Sequence, residues 1–143
     1  MTSQRSPDRA VPAVRLVGDH WGHDRLDRQP RARAGGPGGP YRPGIVAHYN
    51  ANKVAVVKVH GEFVWHSHPD TDDFFLILAG RMTIRLRHRP DVVLEAGELY
   101  VVPAGVEHCP TADEECHVLL IEPDGTVNTG DAGGPLTAPE REL

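Results

Sequence analysis

The chain has 143 residues, with hydrophobic residues at 39%, aromatics at 6%, Gly 15 and Pro 13. That length suits one domain, and so many turn formers exclude a protein built of long helices. A net charge of −5 argues against general nucleic-acid binding, and no apolar run reaches the ~18–20 residues that cross a bilayer. The first ten residues place no apolar stretch behind their charges, so no secretory signal is read and the expected setting is cytoplasmic.

Residues 1–44 hold eight arginines and four aspartates, a balance of +4. Residues 45–143 hold seven basic and sixteen acidic groups, a balance of −9. The stretch 31–40 alternates Arg with Ala and then runs through Gly and Pro. It cannot bury enough apolar surface to offset its ordering entropy, so residues 1–44 read as a flexible extension. Within it, Val14–Val17 is a short apolar patch able to dock on the domain or on a neighbouring subunit.

From Ile45 the pattern changes. Apolar and β-branched runs recur at Ile45–Tyr49, Val54–His60, Phe63–Trp65, Phe74–Leu78, Met82–Leu86, Val92–Leu94, Leu99–Val102 and Val118–Ile121, with turn residues between them. Short strands at such spacing predict an all-β sandwich or barrel over residues 45–123. Met82, Ile84 and Leu86 are expected to face inward. Phe74–Leu78 is apolar on both faces and calls for cover on both, by a second sheet or a second subunit. Val106–Glu122 is expected to form a hairpin about Ala112–Asp113. Residues 124–143 read as an aperiodic tail.

His66 and His68 stand two apart, and in an extended segment both imidazoles point to one face. Asp73 opens the next strand and can return a carboxylate to the same point. His108 follows a tight corner at Pro103–Gly105. Three imidazoles and a carboxylate form a mixed N/O set suited to divalent Fe, Mn, Zn, Ni or Cu. His20, His23, His48 and His88 lack such company and are assigned to surface or packing.

Gly61, His66, His68, Asp73 and Gly80 stand at the spacing G-x4-H-x-H-x4-D-x6-G, and Gly97, Pro103, Gly105 and His108 at G-x5-P-x-G-x2-H. These resemble the two cupin motifs, over roughly residues 45–123. The stretch Trp65–Phe75 and the segments Leu120–Pro123 and Asn128–Asp131 are similar to the small single-domain members labelled mannose-6-phosphate isomerase-like. The resemblance implies a double-stranded β-helix, the jelly-roll barrel of two antiparallel sheets. It also implies a metal inside one mouth and a homodimer. Three departures stand out. Asp73 replaces the usual Glu and is shorter by about 1.5 Å. It therefore ligates at longer range, acts through water, or leaves a three-histidine site. Four residues, not five, separate Gly61 from His66, and Ala112 stands where an Asn is common.

Further pocket candidates are Lys58, Glu62 and His117. In the expected hairpin His117 lies opposite His108, as a pocket acid/base group or as a core histidine, and Cys109 lies opposite Cys116, near enough to bond. Lys58 reaches the pocket only if its strand face does, and Glu62 shares the parity of His66. The expected function is a metal-dependent enzyme on a small polar, anionic metabolite, of dioxygenase, isomerase or lyase/cyclase type. The alternative is a non-catalytic binding module. Nucleic acid and membrane are not expected partners.

Overall fold

The computed structural model describes Val14–Arg15 and residues 39–143. The expected linker at 31–38, His20 and His23 lie outside the described residues. The strands are β1 (Val14–Arg15), β2 (Gly44–Tyr49), β3 (Asn52–Glu62), β4 (Asp73–Ala79), β5 (Arg81–Leu86), β6 (Val92–Glu95), β7 (Glu98–Val102) and β8 (His108–Pro123). No helix among the described residues is long and apolar enough to cross a membrane. Strand order is β1-β7-β4-β8-β3-β2, with β5 joining β8 and β6. Every named strand pair is antiparallel. Val14 and Arg15 pair with Leu99 and Glu98 of β7, so part of the apolar patch near the N-terminus docks on the domain.

The long last strand joins the two halves of the barrel. Near its start, His108–Thr111 pairs with Leu86–Thr83 of β5. Near its end, Val118–Ile121 pairs with Ile77–Phe74 of β4 on one side and Val57–Val54 of β3 on the other. This corrects the expected hairpin over Val106–Glu122. Val59 pairs with Cys116 and Gly61 with Ala112, so Asp113, Glu114 and Glu115 bulge out opposite His60. A bulge turns the strand without ending it. The exposed acidic triplet that resembles a turn is that bulge, and β8 runs on for 16 residues. Cys109 therefore pairs with Arg85 and Cys116 with Val59. Both are buried free thiols, and burial pushes Cys116 up to about 11. Phe63–Trp65 forms no strand and belongs to the loop between β3 and β4.

Inside the barrel, alternate residues of each strand meet. Ile77, Met82, Ile84, Leu94, Val102 and Val118 are essentially inaccessible to solvent. Met82, Ile84 and Leu86 do face inward. Outside, half-buried Val54, Leu119, Ile121, Phe74, Leu76, Leu99 and Val101 lie side by side across β3, β8, β4 and β7. Leu78 at the end of β4 is exposed. The double-sided apolarity of β4 thus becomes a core on one face and a broad apolar sheet face on the other.

Candidate metal centre

One loop and two strand starts supply the donors of the centre. His66 and His68 lie on the loop after β3, Asp73 is the first residue of β4, and His108 is the first residue of β8. Backbone bonds clip the pieces together. His66 and His108 exchange both amide bonds, at 3.0 and 2.9 Å, and the Gly105 amide donates to the His68 carbonyl at 2.9 Å. Asp72 is occupied elsewhere, accepting from the Ala104 amide at 2.9 Å. All four candidate residues are buried, and their donor atoms lie within 4.8 Å of one another.

The ring nitrogens are sorted by their surroundings. His66 Nδ1 donates to the Val64 carbonyl at 2.9 Å, and His108 Nδ1 to the Val106 carbonyl at 2.8 Å. That fixes each ring and turns its Nε2 toward the centre. Asp73 Oδ2 sits 3.0 Å from His108 Nε2 and 3.4 Å from His68 Nε2. Burial would raise the Asp73 carboxyl, but the bonds from His108 and His68 hold it down to about 2. Burial, with His108 beside it, pushes His66 down to about 4. For His68 burial lowers and Asp73 raises, and the net direction is up. The set therefore offers a carboxylate at Asp73 and an uncharged imidazole at His66, the forms that ligate a cation. Ligands about 2.0–2.2 Å from one ion stand at most about 4.4 Å apart, so closing on an ion needs only a small inward movement. The residues fit a divalent metal.

Around the cluster lies a cavity of about 40 Å³, walled mainly by Tyr41, Val57, Val59, Phe63, Phe75 and Leu120. That volume admits one or two waters beside the ligands. Its chief polar wall group apart from the ligands is Glu122. Lys53 pairs with Glu122 across β3 and β8, and Phe74 with Ile121 across β4 and β8. Lys53, Glu122 and Asp73 thus stand in one inward-facing row over three neighbouring strands. Lys53 Nζ is 3.4 Å from Glu122. Burial, with Asp73 nearby, pushes the Glu122 carboxyl up to about 7.

A pH dependence follows. An unfolded Glu keeps its proton only to about pH 4.3, whereas folded Glu122 keeps it to about 7. Between those values the folded state binds more protons, so its stability falls as pH rises through the window. In metal-free protein, Glu122→Gln is expected to gain about 2–3 kcal/mol on wild type between pH 5 and pH 8. Urea titration at the two pH values measures it, and parallel pH profiles would contradict it.

The other three candidates lie off the cavity. Glu62 pairs with Arg85 at 3.0 Å on the exposed surface. Lys58 is 3.5 Å from Glu115, and His117 Nε2 is 2.7 Å from the same carboxylate. The reason is strand parity: Lys53, Ala55, Val57 and Val59 are the inward set of β3, and Cys116, Val118, Leu120 and Glu122 that of β8. Trp65 also faces outward, under the Arg87 guanidinium at 3.9 Å.

Sequence reasoning missed the tail's part. The Ser67 amide and hydroxyl donate to Asp131, at 2.7 and 3.1 Å, and the Asp131 amide donates back to Ser67. Gly130 has φ +52° and packs against the Ser67 carbonyl and the His66 ring, leaving no room for a Cβ. Gly130→Ala is expected to cost at least about 2 kcal/mol and to loosen the His66–His68 loop. Thermal denaturation with and without added zinc tests both effects.

A cupin-2 domain containing protein from Shewanella frigidimarina is 45% identical in sequence, with a TM-score of 0.58 over 60% of this chain and 83% of that one. The Cupin domain family model also matches residues 53–122. The chain belongs to the cupin family. Protein NMB1881 from Neisseria meningitidis is 26% identical with a TM-score of 0.56, over 61% of this chain and 88% of that one. The uncharacterized protein YdbB of Bacillus subtilis is 32% identical over 63 residues, 44% of this chain. The match spans only 56% of the length of YdbB. This cupin is all-β, as its jelly-roll barrel requires.

Proposed function

We propose that this cupin is a metal-dependent enzyme acting on a small metabolite, of dioxygenase, isomerase or lyase/cyclase type. The observation that carries the reading is the convergence of four buried donor atoms within 4.8 Å. His66, His68, His108 and Asp73 would hold a divalent ion of Fe, Mn, Zn, Ni or Cu. Bound there, the ion supplies Lewis acidity toward a coordinated oxygen group. With Asp73 as single carboxylate, a divalent ion keeps a net +1, which suits an anionic chelating head. The apolar wall of Val57, Val59, Phe63, Phe75 and Leu120 would pack against the apolar part of such a ligand. Glu122 lines the same cavity with a carboxyl poised near neutrality, able to hold or release a proton beside a bound ligand.

A second reading is a non-catalytic small-molecule- or metal-binding module, favoured by the cavity of only about 40 Å³. Metal analysis of the purified protein, followed by a screen of small chelating acids for metal-dependent turnover, separates the two. Metal near one ion per chain with turnover supports the enzyme. Metal without turnover supports the module. Protein that takes up no divalent ion sinks both metal readings. The apolar outer face over β3, β8, β4 and β7 supports a symmetric homodimer, the commonest closed assembly. A monomer mass by light scattering at micromolar concentration would count against it. A cytoplasmic setting belongs to the same proposal.

A further inference from the structure

We infer that the C-terminal segment is a lid over a second entrance to the metal cavity, and that the Lys53–Glu140 ion pair is its latch. The functional half of this inference rests on the metal reading above. The cavity of about 40 Å³ is narrow for an organic ligand beside an ion, and it widens only where its wall can move. Most of that wall is barrel strand, tied on both sides by ladder bonds. The exceptions nearest the C-terminal end are Tyr41, Pro43 and Asn128. A smaller cavity of about 20 Å³ lies behind them, lined by Lys53, Ala55 and Ala138–Arg141. Pro43, Glu122 and Asn128 line both cavities and so form the partition between them.

The far side of the smaller cavity is the C-terminal segment itself. Residues 124–140 form no strand or helix, and Gly125, Gly130, Gly133 and Gly134 all adopt positive φ. Named polar contacts hold this stretch to the barrel. Lys53 Nζ donates to the Thr126 carbonyl at 2.8 Å and to Glu140 at 2.7 Å. Glu140 also accepts from the Gly125 amide at 2.9 Å, so one carboxylate joins both ends of the loop to the barrel's ammonium. Asn128 Nδ2 donates to the carbonyls of Tyr41 and Leu136, and its Oδ1 accepts from the Ala138 amide. Past the loop, Arg141 and Leu143 bond to the backbone of Ile45, and His48 joins Asp124 to Glu142. The chain is thus tethered beyond residue 140, while Asp131 holds it to Ser67. Between those two ties, 132–140 can lift as a strap once Leu136 leaves the core it packs against and Thr137 leaves Thr129. Lys53 is buried but Glu140 is half-exposed, so solvent and salt reach the latch from the lid side. Lifting 132–140 opens the smaller cavity, and displacement of Asn128 then joins it to the metal cavity.

Two measurements on the full chain test this. The first is hydrogen–deuterium exchange in wild type, in Glu140→Gln, and in Glu95→Gln as a surface control whose partner is Arg81. The second is the rate at which zinc-loaded protein yields zinc to a chelator. In Glu140→Gln, exchange over residues 126–140 is expected to rise roughly fivefold, with β3, β4 and β8 still protected. Zinc release is expected to quicken by a similar factor at unchanged equilibrium affinity. Added salt should speed release from wild type but not from Glu140→Gln. Glu95→Gln should match wild type in both. Equal exchange in Glu140→Gln and wild type overturns the latch. Faster exchange with unchanged zinc release overturns the entrance. A wild type that takes up no zinc overturns the entrance together with the metal reading, while the exchange data still decide the latch.

Discussion

His108→Ala is expected to weaken metal binding about a hundredfold or more while leaving the barrel folded. The substitution removes the imidazole that sits 3.0 Å from Asp73 and whose orientation is fixed by the Val106 carbonyl. Three donors remain, and Asp73 loses the partner that most strongly holds its charge in the buried cluster. The backbone bonds between residues 66 and 108 do not depend on the ring, so the loops stay clipped. His66→Ala and His68→Ala should behave alike, and so should Asp73→Ala, because Oδ2 lies within the same 4.8 Å group. Asp73→Glu should retain binding, since its carboxylate can reach the same centre. His88→Ala should leave metal occupancy unchanged. Metal stoichiometry by elemental analysis, with circular dichroism of each variant, checks the set. Full occupancy surviving all three histidine changes would put the metal elsewhere.

Ile84→Ala is expected to cost about 2–5 kcal/mol in folding stability. Ile84 is wholly inaccessible on β5, between Val92 of β6 and Pro110 of β8. Removing its branches leaves a void among strands held on both sides, so the walls cannot collapse far into it. Val93→Ala on β6 should stay within about 0.5 kcal/mol, because Val93 is 43% exposed. Urea unfolding monitored by Trp fluorescence and circular dichroism measures both. A loss below 1 kcal/mol at Ile84 would mean that the site relaxes or is less well packed than described.

The strands and the metal cluster were legible because they rest on short-range rules. Alternation in Met82–Leu86 identifies the inward set directly, and His66, His68, Asp73 and His108 are found by residue type and spacing. What escaped depends on long-range pairing. Asp113–Glu115 has the composition of a turn, and only the ladder to β3 reveals a bulge in a continuing strand. The same misreading placed His117 opposite His108. For Lys58 the strand's own alternation decides the face. If Val57 and Val59 face inward, so does Lys53, six residues before Val59 and paired with Glu122 across the sheet. Glu122 shares parity with the inward Val118 and Leu120, whereas the parity Glu62 shares with His66 does not carry across the end of β3 at Glu62. The clasp of Gly130 and Asp131 on Ser67 joins segments more than sixty residues apart, beyond any local pattern.

The place of β8 at the end of the barrel sequence bears on how this molecule can be made. Its start completes the pair with β5, its end lies between β3 and β4, and its first residue carries a metal donor. Until that strand has left the ribosome, β3 and β5 each lack a neighbour, and the edges of β3 and β4 are open to other chains. Synthesis from the N-terminus therefore yields only separate pairs, β2 with β3, β4 with β7 and β5 with β6, and closure is a late, non-local event of the kind that folds slowly. Nascent chains ending before residue 108 would hold His66, His68 and Asp73 without the strand that gathers them. Neither the barrel nor its metal centre can exist as a half-product.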